Sequence, residues 1–190
     1  SVEVNEDVEL DATERLFDDE VTYRTIDLSR ASYIDEDNRR VRMGVSSEEP
    51  VQRSFGLEVL SHKAEDVDMS FMASGSAPLL DSHDMNRQIG VVEEFRLDEA
   101  AKRTTAVVRF GRSSLAEEVY QDIRDGIKKN ISIGYRVTNL ERTTNEQIGE
   151  HYRASFEPLE ISVVSLPADT SKKVGVGRSK SNKTPNIQVT

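Results

Sequence analysis

The chain has 190 residues, a formal net charge of -10, 36% hydrophobic residues and no cysteine. That length suits one domain with a real core. The missing cysteine excludes thiol nucleophiles, disulfides and thiolate metal sites, and the acidic balance argues against non-specific nucleic-acid binding by the whole chain.

No apolar run reaches the length of a membrane span and no signal peptide is visible, so a membrane is not an expected partner. Charge is unevenly placed. Residues 1–20 are rich in Asp and Glu with Arg15 as their one basic residue, while Lys172, Lys173, Arg178, Lys180 and Lys183 follow Asp169 with no further acid. Both ends read as solvated segments. The predicted organisation is an acidic, flexible segment 1–20, a compact domain 21–169 and a basic flexible tail or linker 170–190. The chain opens on Ser1 instead of Met, which sets the expectation of a processed product or a piece of a longer polypeptide.

The middle reads mostly as strands. Val21 to Leu28 mixes Val, Tyr, Thr and Ile, as a strand does. Arg40 to Val45 alternates charged and apolar residues. A short helix is predicted near Val67 to Met72. Ile89 to Leu97 and Thr105 to Phe110 flank a polar stretch and predict a hairpin with a longer loop. Ser114 to Lys128 is the clearest helix: Ser114 and Glu117 form a capping-box pattern, and Leu115, Val119, Ile123 and Ile127 repeat at i+4. Lys128 and Lys129 suit the negative end of its dipole.

A strand follows, with Ile131, Ile133, Tyr135 and Val137 on one face and Ser132, Gly134 and Arg136 on the other. Gly134, two positions after a hydroxyl, would let a substrate backbone approach closely. An ordinary strand serine beside a bulge glycine fits the same pattern. Leu79 to Asp84 contains His83, the side chain type best suited to take a proton from serine near neutral pH. His62 and His151 are the other histidines. Asp81, His83 and Asp84 could also suggest a metal-dependent hydrolase, although HExxH or CxxC spacing is absent and no metal or cofactor is expected. In Glu157 to Asp169, Glu160 shares a face with Val164 and Leu166. A carboxylate there is partly buried and needs a partner. Histidine, serine and a carboxylate together could activate a hydroxyl for attack on an amide.

These segments resemble the prohead proteases of tailed bacteriophages with HK97-like capsids. The matching stretches are Arg40 to Val45, Phe55 to His62, Ala77 to Asp84, Ile89 to Val92, Val107 to Gly111, Ala116 to Val137 and Glu157 to Asp169. Their order and joint presence carry the resemblance. It implies a serine endopeptidase that trims capsid and scaffold proteins, and itself, inside the assembling prohead in the host cytoplasm. It implies an α+β fold similar to the herpesvirus assembly proteases, with a β-barrel-like core of mainly antiparallel strands surrounded by helices. By position it implies His83 as the base, Ser132 as the nucleophile and Glu160 as the third member. His151 competes for that third place, because the herpesvirus enzymes use a second histidine. Analogy with those enzymes also points to a homo-oligomer. The major capsid protein and scaffold segments are the implied partners. A catalytically silent capsid-assembly or scaffold module of the same fold is the alternative.

Overall fold

The computed structural model describes residues 21–27 and 33–165. The predicted end segments, 1–20 and 170–190, lie outside the described residues, as does Leu166. Strands dominate the rest: β1 (Thr22–Asp27), β2 (Tyr33–Asp35), β3 (Arg40–Ser47), β4 (Val51–Arg53), β5 (Gly56–Leu60), β6 (Pro78–Asp81), β7 (Gln88–Asp98), β8 (Arg103–Phe110), β9 (Asn130–Asn145) and β10 (Gly149–Val164).

The main strand order is β1-β9-β10-β6-β7-β8-β3-β2, with β5 also on β10 and β4 on β5. β9 and β10 form a long antiparallel hairpin. β5 and β6 run parallel to β10, at Tyr152–Ala154 and Ile161–Val163 respectively. The remaining pairings are antiparallel. β3 touches both β1 and β9 although the strand order separates them, so the sheet curls into a half-barrel. Strand twist and the bulges in β3, β6–β7, β7–β8 and β10 give that curvature.

The predicted apolar face of β9 holds. Ile131, Ile133, Tyr135 and Val137 are all buried in one cluster with Phe156, Ile161 and Val163. The predicted hairpin of β7 and β8 is present, with Lys102 at φ 51° in its loop.

Helices are few among the described residues: α1 (Ser70–Ala73), α2 (Ser114–Arg124) and a 3-10 turn at Ala64–Asp66. The expected core surrounded by helices is therefore a curled sheet carrying little helix. Two details of α2 correct the sequence reading. Its cap is Ser113, whose Oγ accepts from the Ala116 N–H at 3.2 Å, while Glu117 is engaged by Arg39 and Gln121 instead of closing a box. It also ends early, because Gly126 adopts φ +70°, a left-handed stop. Ile127 thus leaves the apolar stripe and is exposed, while Ala116, Val119, Tyr120 and Ile123 are buried.

Candidate active site

The site is built on the row of strands β1, β9, β10 and β6. Thr25, Ser132, Ser162 and Leu80 lie side by side across these four strands. One step along the sheet on the same face, Tyr23, Gly134 and Glu160 form a second row. A bulge between Pro158 and Glu160 sets which side chains of β10 share that face with Ser132. Pro158 has no N–H to give the ladder, which favours a break there.

His83 arrives from the turn after β6, over these rows. Ser82 and His83 have φ of 56° and 60°, a conformation costing non-glycine residues about 1–2 kcal/mol each. Hydrogen bonds hold the turn in it. The Ser82 N–H donates to Val163 O at 2.9 Å, and the His83 N–H donates to Ser162 Oγ at 3.0 Å. Asp81 is clasped by Arg87 at 2.8 and 3.1 Å and accepts from Ser82 Oγ at 3.0 Å. Burial pushes the Asp81 carboxyl up, but Arg87, Ser82 and Lys128 more than offset it and hold it below its ordinary value. Asp84 Oδ1 accepts the Asn86 N–H. The acids of the suggested Asp81, His83 and Asp84 metal set are thus used by the turn itself. Among the described residues no group of three or more possible metal ligands gathers.

The structure brings His83 and Glu160 together. Nδ1 of the imidazole is hydrogen-bonded to Glu160 Oε1. The other carboxylate oxygen accepts from Ser162 Oγ at 2.7 Å. Glu160 is only 7% exposed, so it is the partnered carboxylate the alternation predicts. With Nδ1–H donated to Glu160, Nε2 is the nitrogen available to accept a proton.

Ser132 lies in the adjacent row and is 1% exposed. Its Oγ is buried and makes no hydrogen bond. Ser132 and His83 are therefore not hydrogen-bonded to each other in this structure, although the imidazole lies over the sheet face that bears Ser132.

Gly134 corrects a prediction. A Cβ there would meet Glu160 Oε1 at 2.5 Å and Cγ at 3.0 Å. The missing side chain makes room for the carboxylate, which is a different use from admitting a substrate backbone. Nor is Gly134 itself a bulge residue, since the extra residue lies on β10.

His151 is placed elsewhere. It pairs with Thr143 near the start of β10 and its Nδ1 lies 2.9 Å from Gly149 O. The strand separates it from Glu160 by about 30 Å. His62 makes a serine contact that composition does not reveal. Its Nε2 lies 2.8 Å from Ser46 Oγ, which lies 2.5 Å from Thr104 Oγ1. Its Nδ1 is engaged by Leu60 O at 3.0 Å, and Glu48 stands 4.0 Å away. Burial pushes the His62 imidazole below its ordinary value. This triplet joins β3 and β8 to the segment that follows β5, with all three residues buried.

Tyr135, next in the motif after Gly134, points into the core. Its hydroxyl donates to Glu58 at 2.6 Å, and Glu58 also takes Arg24 at 2.8 Å. Arg53 donates to the same phenol oxygen at 2.9 Å. Burial, then the Glu58 charge, push the Tyr135 phenol above its usual range. The cluster ties β1, β4 and β5 to the strand that carries Ser132. Sequence reasoning missed it, as it missed Ser162 and Tyr23. Ser162 had a visible signal, two positions after Glu160. Arg24, Glu58 and Tyr23 had none, because their partners are remote in sequence.

Residues 33–186 match the family model of the caudovirus prohead serine protease. The chain belongs to that family. It is also similar to the major capsid protein of Halomonas phage phiHAP-1, at 45% identity over 151 residues, 77% of this chain and 24% of that protein. The chain thus spans about a quarter of the length of that curated relative. Among solved structures it is similar to the capsid assembly protease of bacteriophage T4, gp21, with a TM-score of 0.53 and 8% identity, over 76% of this chain and 97% of that one. At that identity the likeness concerns the fold alone. Among the described residues no helix is long and apolar enough to cross a membrane.

Proposed function

We propose that this prohead protease family member is a serine endopeptidase of capsid maturation with Ser132 as nucleophile, His83 as base and Glu160 as the orienting carboxylate. The observation that carries the reading is the buried Glu160 carboxylate on His83 Nδ1, on the sheet face that also bears Ser132. An imidazole so held keeps one tautomer, and the imidazolium formed during acyl transfer meets a fixed negative charge.

His83 Nε2 takes the hydroxyl proton as Ser132 Oγ bonds to the scissile carbonyl carbon. The C–N bond then breaks, and the proton passes to the departing amine. Water next attacks the ester with His83 again as base, releasing the acid and restoring Ser132. The open Ser132–His83 hydrogen bond closes when substrate docks, as catalytic contacts often tighten only in the complex.

The substrates are capsid and scaffold polypeptides, with the chain itself among them, and the place of action is the interior of the assembling prohead. The family match and the relative named a major capsid protein support this. A likeness to the herpesvirus assembly proteases belongs to the same proposal, with a homo-oligomer by analogy. The second reading is a silent assembly module, favoured by the buried Ser132 Oγ and by the name of that relative.

A fluorophosphonate probe separates them. In the active protein Ser132 Oγ bonds to phosphorus, fluoride leaves and His83 holds the proton. Peptide mass mapping should find the adduct on Ser132 and lose it in His83→Ala. No adduct would favour the silent module, and an adduct on Ser46 instead would contradict Ser132 as nucleophile.

A further inference from the structure

We propose that Tyr23 is a positioning residue for His83: its ring packs against the imidazole and keeps Nδ1 on the Glu160 carboxylate. This rests on the catalytic reading above. The family match begins at residue 33, so Tyr23 and β1 lie outside what the family model covers.

Three observations converge. First, the Tyr23 and His83 ring centroids are 4.0 Å apart, tilted by 44°. Second, Tyr23, Gly134 and Glu160 stand in one cross-strand row. The missing Cβ at Gly134 makes room for the Glu160 carboxylate, with Tyr23 on the strand beyond the glycine. The imidazole touches both Tyr23 and Glu160. Third, Tyr23 is 36% exposed, so core packing does not account for an aromatic ring there. Its neighbour Arg24 is anchored by Glu58 and by Glu49 O at 2.7 Å. That anchor fixes β1, so the Tyr23 ring has a rigid base.

A side chain on an isolated turn could swing about its first dihedral and lose Glu160. Against an aromatic wall it loses that freedom, and the serine proton meets a base already oriented. This role needs the ring and not the hydroxyl, so phenylalanine should replace it.

The test uses the full chain with 15N-labelled histidine. In the native protein and in Tyr23→Phe, the His83 ring nitrogens should show one tautomer, protonated at Nδ1. In Tyr23→Leu they should show an averaged pair. Fluorophosphonate labelling of Ser132 should fall about tenfold to a hundredfold in Tyr23→Leu and stay within about twofold in Tyr23→Phe. If Tyr23→Leu does not fold by circular dichroism, Tyr23→Ile is measured in its place. An unchanged tautomer in the ring-less variant overturns the proposal, whatever its labelling rate. A failure of labelling in the native protein instead counts against the catalytic reading and leaves the tautomer signature to decide the role of Tyr23.

Discussion

Gly134 and Glu160 face each other across β9 and β10, and a Cβ on the glycine would lie 2.5 Å from Glu160 Oε1. The glycine and the acid are therefore one device. A strand glycine normally weakens a strand. Here it makes room for a buried carboxylate where an imidazole can reach it.

Gly134→Ala should displace that carboxylate. Its φ is not in the left-handed region, so the cost arises from the clash alone. Labelling of Ser132 should fall by about a hundredfold, while stability drops by only ~1–3 kcal/mol. Labelling and thermal unfolding, run side by side, check this. Native-like labelling would mean that Glu160 has room to spare.

Ser162 holds both partners, donating to Glu160 Oε2 and accepting from the His83 N–H. Ser162→Ala leaves both groups short of a hydrogen bond, worth ~1–3 kcal/mol. The labelling rate should fall by about tenfold with the overall fold intact by circular dichroism. An unchanged rate would show that the turn orients His83 without it.

The Arg24, Arg53, Glu58 and Tyr135 cluster should dominate stability near the site. Glu58→Ala leaves the buried Arg24 without its carboxylate, at about 3–5 kcal/mol. Tyr135→Phe should cost only ~1–2 kcal/mol. The double variant should fall short of the sum, because the two share one hydrogen bond. Strict additivity in denaturant unfolding would contradict the shared network.

His62 sets an acid sensitivity. Burial depresses its folded pKa, so the unfolded chain takes up the proton first. Its contribution is complete above the ordinary histidine value of about 6.5 and is lost as pH falls from there through the folded value. Stability measured between pH 7.5 and pH 5 should fall more steeply in the native protein than in His62→Gln. Equal slopes would show that His62 is not the group responsible.

Much of this was legible where local pattern and burial coincide. The alternation of β9 and the period of α2 follow from side chains that meet one core, and the isolation of Glu160 on a half-apolar face announced a buried acid. The rest depended on contacts between remote segments. Ser114 looked like the cap because two serines adjoin, and only the extended backbone of Ser113 decides between them. Ile127 fitted the helical period, but Gly126 turned the chain first. Gly134 signalled a close approach without naming what approaches. The parallel strand β6 was hidden because four residues carry little periodicity, and β10 buries it from the side. Ser46 and His62 show the converse: a serine–histidine contact in the structure with no sequence motif, used to tie β3 and β8 to the segment after β5.

The most direct test of the catalytic claim follows chain masses in cells that express the full-length protein together with its capsid and scaffold proteins. Native protein should give cut products. Ser132→Ala should give none, and Glu160→Gln should give them at a rate reduced by orders of magnitude, as expected when a triad carboxylate is neutralised. Identical products from native and Ser132→Ala chains would contradict the account.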